Sequence, residues 1–225
     1  MNEYLLSKSW FTIARAIQTL GLLYLPIGWL LACYWVLYIA PVDQVQGEIY
    51  RLIYIHVPSA FMSLGIYAVM CVLGFLFLCW RVKFFDEVSR SIAPIGLAMT
   101  IMALITGSLW GKPTWGTYWI WDARLTSELV LAIFYLLFLV LRRQSHPSAK
   151  VVAYAVLLIG VIDVPIVHYS VNWWHTLHQG STVFANHQAI DPSMFWPLIW
   201  MVGNFTVITM LLGSLRFTAL VRGHL

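Results

Sequence analysis

The chain alternates long apolar runs with short polar segments. Five runs are close to or above the roughly 20 residues that an α-helix needs to cross the hydrocarbon core of a bilayer. They are Leu20–Ala40, Val57–Trp80, Ile92–Trp110, Val151–Ser170 and Ser193–Leu215. Continuous runs of this length favour helices over the alternating strands of a membrane β-barrel. The pattern therefore predicts at least five transmembrane helices.

A sixth apolar run, Leu129–Leu141, is too short to cross a bilayer alone. It reaches spanning length if its helix begins near Asp122, which places Arg124 and Glu128 at the membrane interface. Asp122 can then cap that helix, because a carboxylate there accepts a backbone N–H and favours the positive helix end. We predict an all-α integral membrane protein with six transmembrane helices. Residues 1–225 form one membrane domain, with an external tryptophan-rich loop at about 110–127.

Composition and charge placement agree with this assignment. Apolar residues make up 61% of the chain and charged residues 10%, against about 25% charged in ordinary soluble domains. Ten of the thirteen basic residues fall on one predicted side: Lys8, Arg15, Arg81, Lys83, Arg90, Arg142, Arg143, Lys150, Arg216 and Arg222. The positive-inside rule therefore predicts that both termini are cytoplasmic. The first apolar run is long enough for a permanent span, so we expect no cleavable signal peptide.

The predicted external loops, 41–56, 111–126 and 169–192, collect the unusual side chains. The external face has five of the seven histidines, four in these loops and His168 next to the third, and the stretch "WGTYWIWDARLTS", which begins at Trp115. In "YIHVPSAFM", Pro58 suits the first turn of helix 2, so we expect His56 just outside that helix, at the membrane surface. Taken alone, His56 is equally well interpreted as an interfacial histidine satisfied by water.

The third external loop contains "VHYSVNWWHTLHQG". His175 and His178 are three residues apart and share a face if this segment is helical. A membrane-interface aromatic belt with incidental histidines is one interpretation. A metal site built from this loop alone is another, although it lacks carboxylates.

A third interpretation is a haem site. Haem iron takes axial imidazoles, and aromatic side chains can cover the apolar porphyrin. Haem propionates are anionic and pair with cations, for which Arg51, Lys112 and Arg124 are the external candidates. The external loops together supply axial ligands, an aromatic floor and positive charges.

Asp163, in "VIDVPIV", is an acidic residue inside a predicted span. A carboxylate within the membrane is a candidate functional residue. Pro165 offers a structural alternative, in which the helix is kinked and has a polar patch near its outer end. Both interpretations stay open. The chain has no G-x-x-x-x-G-K-[ST] motif, so any ATP use must come from partner subunits.

The tryptophan-rich stretch resembles the signature of a superfamily of haem-handling membrane proteins. The residues Ala-Arg-Leu-Thr-Ser after Asp122 resemble its CcmC branch. The cytochrome c synthase branches usually carry a proline and an acidic residue there, which this chain lacks. "HVPSAFM" and "WWHTLHQG" resemble the CcmC segments around two external histidines. The resemblance covers nearly the whole chain.

This resemblance implies a particular set of site residues. Haem b would be held between the axial ligands His56 and His178, with His175 as second choice and His168 as third for the ligand after helix 5. The signature tryptophans correspond to Trp115, Trp119 and Trp121. Tyr118 stands where many members have a tryptophan, and it keeps an aromatic face. Asp122 and Arg124 complete the expected site, Arg124 as the partner of a propionate.

The resemblance also implies a role in bacterial cytochrome c maturation. The protein would bind haem at the periplasmic face of the inner membrane and deliver it to the membrane-anchored haem chaperone CcmE. Expected partners are the ATP-binding-cassette components CcmA and CcmB, the small membrane protein CcmD and the membrane itself, with no nucleic acid. This describes a binding and transfer protein, not an enzyme, although promotion of covalent haem attachment to the chaperone is compatible with it.

Three alternative functions use the same sequence features. The first is a haem lyase of the cytochrome c synthase type, which would join haem directly to a C-x-x-C-H apocytochrome. The second is a haem transporter subunit, which needs a polar path through the spans, where Asp163 is the clear candidate. The third is a structural membrane subunit with an aromatic belt, which would never copurify with haem.

Overall fold

The computed structural model describes residues 3–174 and 190–222. They form seven α-helices and no extended strand: α1 (Glu3–Tyr34), α2 (Ile53–Trp80), α3 (Lys83–Trp115), α4 (Ala123–Leu141), α5 (Pro147–Ile159), α6 (Asp163–Trp173) and α7 (Pro192–Arg222). A π-helical segment extends α1 to Ile39, and a 3-10 turn joins α5 to α6. The described residues thus contain six helical segments long and apolar enough to span a membrane. The prediction of six spanning helices is confirmed.

The centre of the bundle is the long contact between α2 and α3. Helix α1 packs on α7, which also touches α2 and α3, and α4 packs on α3, α5 and α6. Glycines allow close approach. A Cβ added at Gly74 would lie 2.6 Å from the Tyr154 ring, and one at Gly96 would overlap the Tyr135 ring. The Tyr135 hydroxyl donates a 2.7 Å hydrogen bond to the backbone oxygen of Ser63, which links α4 to α2.

The bundle has two chemically different ends. We call the end where α2, α4 and α7 begin the aromatic end, and the opposite end the basic end. At the basic end the buried Asp86 carboxylate accepts hydrogen bonds of 3.1 and 2.8 Å from Arg142 and of 2.9 Å from Tyr154. Lys150 Nζ lies 2.8 Å from the same carboxylate. These contacts join α3, α4 and α5 around one buried charge.

Helix α2 begins earlier than the sequence predicts. It starts at Ile53, directly after a 3-10 turn, so His56 and Pro58 both lie inside the helix. The prediction that His56 lies just outside α2 is therefore wrong. The side chains of Tyr50 and Tyr54 are buried at this point, and their burial stabilises the earlier helical start. That gain outweighs the backbone hydrogen bond that Pro58 cannot donate.

The tryptophan-rich loop is shorter than predicted. Helix α3 continues to Trp115 and ends at Gly116, whose φ of 82° is a left-handed conformation that favours glycine. The loop is therefore residues 116–122, and Trp115 belongs to the helix. Asp122 caps α4, because its carboxylate accepts a 2.8 Å hydrogen bond from the amide of Leu125. The predicted helix cap is confirmed.

The fifth span is interrupted, as the kinked-helix interpretation anticipates. A 3-10 turn at Gly160–Ile162 separates α5 from α6, and Asp163 is the first residue of α6. The turn packs closely on α2, since a Cβ added at Gly160 would overlap the Tyr67 hydroxyl. That hydroxyl donates a 3.0 Å hydrogen bond to the backbone oxygen of Leu157. The side chain of Asp163 is buried beside this break.

Candidate functional site

His56 lies against α3 near the aromatic end. Its Nδ1 is 3.0 Å from the backbone oxygen of Ala103 and 3.1 Å from Thr106 Oγ1. A carbonyl oxygen can only accept, so Nδ1 donates this hydrogen bond. In the neutral ring the lone pair is then on Nε2, and a metal-binding imidazole typically has its second nitrogen fixed in this way by a backbone carbonyl.

Helix α3 and the segment before α2 hold the imidazole in place. Trp110 meets the His56 ring edge-on, with 5.9 Å between ring centroids. The indole nitrogen of Trp110 donates a 2.5 Å hydrogen bond to Gln46 Oε1, and Tyr50 packs against the same indole. On the other side, a Cβ added at Gly107 would lie 3.1 Å from His56 Cε1. The imidazole therefore fits a space that a larger residue at position 107 would fill.

A small cavity extends from His56 into the bundle. Its volume of about 30 Å³ is room for about two water molecules. It is lined by His56, Ala60, Leu64, Ala103, Leu104, Arg124, Leu125, Glu128 and Val167. Pockets for drug-sized ligands are at least ten times larger, at roughly 300 Å³ or more. The cavity thus brings Arg124 and Glu128 close to His56 but cannot itself contain a porphyrin.

Arg124 and Glu128 face the interior of the bundle. Glu128 is only 6% exposed, and its predicted depth at the membrane interface stays a prediction. Its Oε1 accepts a 3.0 Å hydrogen bond from Ser63 on α2, which stabilises the carboxylate inside the bundle. Arg124 is half-buried and lines the cavity.

The loop after α3 displays aromatic rings at the surface. Tyr118 is 56% and Trp121 77% exposed, whereas Trp119 is half-buried and meets Trp121 edge-on at 5.4 Å. Among the described residues, the buried indole N–H of Trp119 has no hydrogen-bond partner. Lys112 Nζ lies 5.2 Å from the centre of the Tyr118 ring and donates a hydrogen bond to the backbone oxygen of Gly116. The loop thus combines an exposed aromatic surface with a nearby cation.

Helix α3 connects this aromatic surface to His56. Trp115, the last residue of α3, is eight residues beyond Gly107, or about 12 Å along the axis at 1.5 Å per residue. Its ring packs over Gly111, where an added Cβ would lie 2.8 Å from the indole. The same helix therefore positions both the imidazole and the first signature tryptophan.

The other predicted ligands differ in what the structure says of them. His178 and His175 lie outside the described residues. His168 is described and is exposed. Its ring lies edge-on to the Tyr169 ring, with 4.6 Å between the ring centroids. The neighbouring residue Val167 lines the cavity. His168 therefore does not line the cavity that His56 lines.

Three residues of this site were not identified from the sequence as site residues: Gly107, Trp110 and Glu128. Glu128 carried a usable signal, because it follows Arg124 by four residues and charged side chains within spans face the bundle interior. Gly107 and Gly111 are also four residues apart, a spacing typical of close helix contacts. Trp110 carried no distinguishing signal among so many aromatic residues.

Comparisons with known proteins find the same family over nearly the whole chain. The family model for heme exporter protein C matches residues 2–223. Heme exporter protein C of Escherichia coli strain K12 is 44% identical over 218 residues, which cover 94% of this chain and 82% of that protein. The protein of the same name from Bradyrhizobium diazoefficiens is 44% identical over 183 residues, with 79% and 70% covered. A ccmC-like mitochondrial protein of Marchantia polymorpha, named for cytochrome c biosynthesis, is 43% identical over 179 residues, with 80% and 77% covered.

Proposed function

Because the chain belongs to the heme exporter protein C family, CcmC, we propose that it binds haem b at the aromatic end of its bundle and delivers it for cytochrome c maturation. The names of its relatives support haem as the cargo and cytochrome c biosynthesis as the process. One structural observation carries the site assignment. His56 is held through Nδ1 by the Ala103 carbonyl, a contact that in the neutral ring makes Nε2 the nitrogen that can bind a metal.

In this proposal His56 is one axial ligand of the haem iron and His178 is the other. The carbonyl that accepts from Nδ1 fixes the ring orientation and raises the basicity of Nε2. Trp115, Trp119 and Trp121 contribute an apolar aromatic surface against the porphyrin, as the exposed rings at this end support. The protein supplies position and electrostatics, while the iron and the porphyrin carry their own chemistry.

A cation near the axial ligand suits the anionic edge of haem. Arg124 shares the cavity with His56, and a guanidinium can pair with a carboxylate through two parallel hydrogen bonds. We therefore assign Arg124 to a haem propionate. Asp122 caps α4 and so fixes where that helix begins, two residues before Arg124.

The arrangement of the ends supports a location and a direction of transfer. The basic end carries Arg81, Lys83, Arg142 and Lys150 at or near its helix ends, so we place it and both termini in the cytoplasm. The aromatic end then faces the periplasm from the bacterial inner membrane. There the exposed rings of the loop are accessible to the haem chaperone CcmE. The ATP-binding-cassette components CcmA and CcmB and the small protein CcmD complete the proposed complex.

The test replaces one histidine at a time and measures the absorbance of haem in the purified protein. We expect His56→Ala and His178→Ala to shift or abolish the haem bands, and His175→Ala to keep them. His168→Ala is the matched control, because this histidine lies at the same end but does not line the cavity. Wild-type spectra and normal loading of CcmE in both His56→Ala and His178→Ala would contradict the two-ligand proposal.

A further inference from the structure

Three helices meet at the buried carboxylate of Glu128. The residue lies on α4, and its Oε1 accepts a 3.0 Å hydrogen bond from Ser63 on α2. Ser63 Oγ is also 2.6 Å from Thr100 Oγ1 on α3, and the two hydroxyls are hydrogen-bonded. A carboxylate in the interior of a membrane bundle is costly, and one that persists there usually serves a site. The helix cap and the haem ligand already assigned do not use Glu128.

The cavity beside Glu128 contains the cationic side chain of the site. Arg124 and Glu128 are four residues apart on α4, so their side chains share a face about 6 Å apart at Cβ. Both line the same cavity as His56. Since that cavity has a volume of only about 30 Å³, room for about two water molecules, the three polar groups lie within a few water diameters of one another.

Charge balance explains why the two residues occur together. Arg124 keeps its charge in a protein interior, because a guanidinium does not lose its proton there. Glu128 and, more weakly, Asp122 attract this guanidinium, and the Asp122 carboxylate is already engaged as the cap of α4. Asp163, across from α4 on α6, repels the Glu128 carboxylate. Glu128 is therefore the main negative charge facing Arg124 in the shared cavity, and within the described part of the chain the two side chains make no direct ion pair or hydrogen bond.

We propose that Glu128 is a positioning residue, whose carboxylate attracts the Arg124 guanidinium across the shared cavity and keeps it beside His56, so that the cation can pair with a carboxylate of the bound haem. This inference rests on the proposed function. The guanidinium has five N–H donors on more than one edge, so one edge can face Glu128 while another faces the ligand. Without Glu128, the half-buried cation would lose the carboxylate that attracts it towards the cavity.

Two measurements test this role, with haem as the probe added to purified protein in detergent. The first is haem affinity in Glu128→Gln, Arg124→Gln and the double variant. We expect about a tenfold loss in each single variant, the range seen when support for a ligand is removed. If Glu128 acts through Arg124, the double variant should bind haem like Arg124→Gln alone. Multiplied losses, or no loss in Glu128→Gln, overturn the proposal.

The second measurement is the midpoint potential of the bound haem, which a purely structural role would not move. Removing a negative charge near the iron disfavours the ferric form, so Glu128→Gln should shift the potential to more positive values. A tenfold change in the preference for ferrous over ferric haem corresponds to about 59 mV for one electron. An unchanged potential overturns the proposal. Asp86→Asn is the control, because it removes a buried carboxylate at the far, basic end.

Two further variants keep the test decisive. If Glu128→Gln does not accumulate, Glu128→Asp keeps the charge but withdraws it by one methylene, and should weaken haem binding only when Arg124 is present. His56→Ala is measured in parallel. If His56→Ala binds haem normally, the proposed function itself fails. If His56→Ala loses haem while the Arg124 and Glu128 effects multiply, only the positioning role fails.

Discussion

Gly107→Ala is a small change that acts on the orientation of His56. The added Cβ would lie 3.1 Å from His56 Cε1 and 3.5 Å from Nδ1. The first distance is about 0.4 Å inside the 3.5 Å lower limit of favourable carbon–carbon contact. The imidazole must therefore move by a few tenths of an ångström, and the hydrogen bond from Nδ1 to the Ala103 carbonyl, now 3.0 Å, lengthens or bends.

The size of the effect follows from that hydrogen bond. A typical intramolecular hydrogen bond contributes about 1 kcal/mol net, which corresponds to roughly fivefold in affinity. We expect Gly107→Ala to weaken haem binding by about this factor. The change should not destabilise the fold equally, because replacing glycine by alanine inside a helix favours the helix by roughly 0.5–1 kcal/mol.

The assay is haem titration of the purified variant followed by absorbance, with thermal unfolding of the haem-free protein measured alongside. Gly65→Ala is the matched control, since Gly65 lies in α2 and an added Cβ there meets no atom within 4 Å among the described residues. It should leave haem affinity unchanged. Equal haem affinity in Gly107→Ala, Gly65→Ala and the wild type would refute the argument that this His56 geometry serves haem.

Three further perturbations test other parts of the account. Asp86→Asn breaks the buried ion-pair cluster of the basic end and should cost about 3–5 kcal/mol, seen as a lower unfolding temperature with normal haem affinity in the folded fraction; an unchanged unfolding temperature would contradict the structural role. Replacing Trp119 and Trp121 together by alanine should lower haem retention and CcmE loading at an unchanged protein level, whereas unchanged loading would reduce the loop to a membrane-interface belt. Gln46→Ala removes the hydrogen-bond acceptor of the Trp110 indole. It should weaken haem binding by no more than about fivefold, the effect of losing one hydrogen bond; a complete loss would mean that the segment around Gln46 contacts the haem directly.

The six spans were predictable because a bilayer imposes both length and composition on a helix. Asp122 was predictable as a cap for a similar reason, since α4 must begin near it to reach spanning length. The start of α2 was not predictable, because the burial of Tyr50 and Tyr54 in the folded bundle outweighs the preference of Pro58 for the first turn of a helix. A single proline marks a preferred helix start only where packing does not extend the helix.

The site was predictable in its residue types but not in its contacts. The resemblance and the pattern of external histidines together predict His56 as a haem ligand. The partner that fixes its tautomer is a backbone oxygen 47 residues away, on another helix. No side-chain pattern encodes such a contact. The cavity that joins His56 to Glu128 likewise depends on how α2, α3 and α4 pack, which hydropathy does not specify.

Chemical rescue with imidazole tests whether His56 is an axial ligand of the haem iron. His56→Gly removes the imidazole, and free imidazole added to the solution can enter the space it leaves and bind the iron. The account predicts that the haem spectrum of His56→Gly is altered and returns to the wild-type form as imidazole is added, while His168→Gly is unaffected throughout. A wild-type spectrum of His56→Gly before any imidazole is added would show that His56 is not a ligand of the haem.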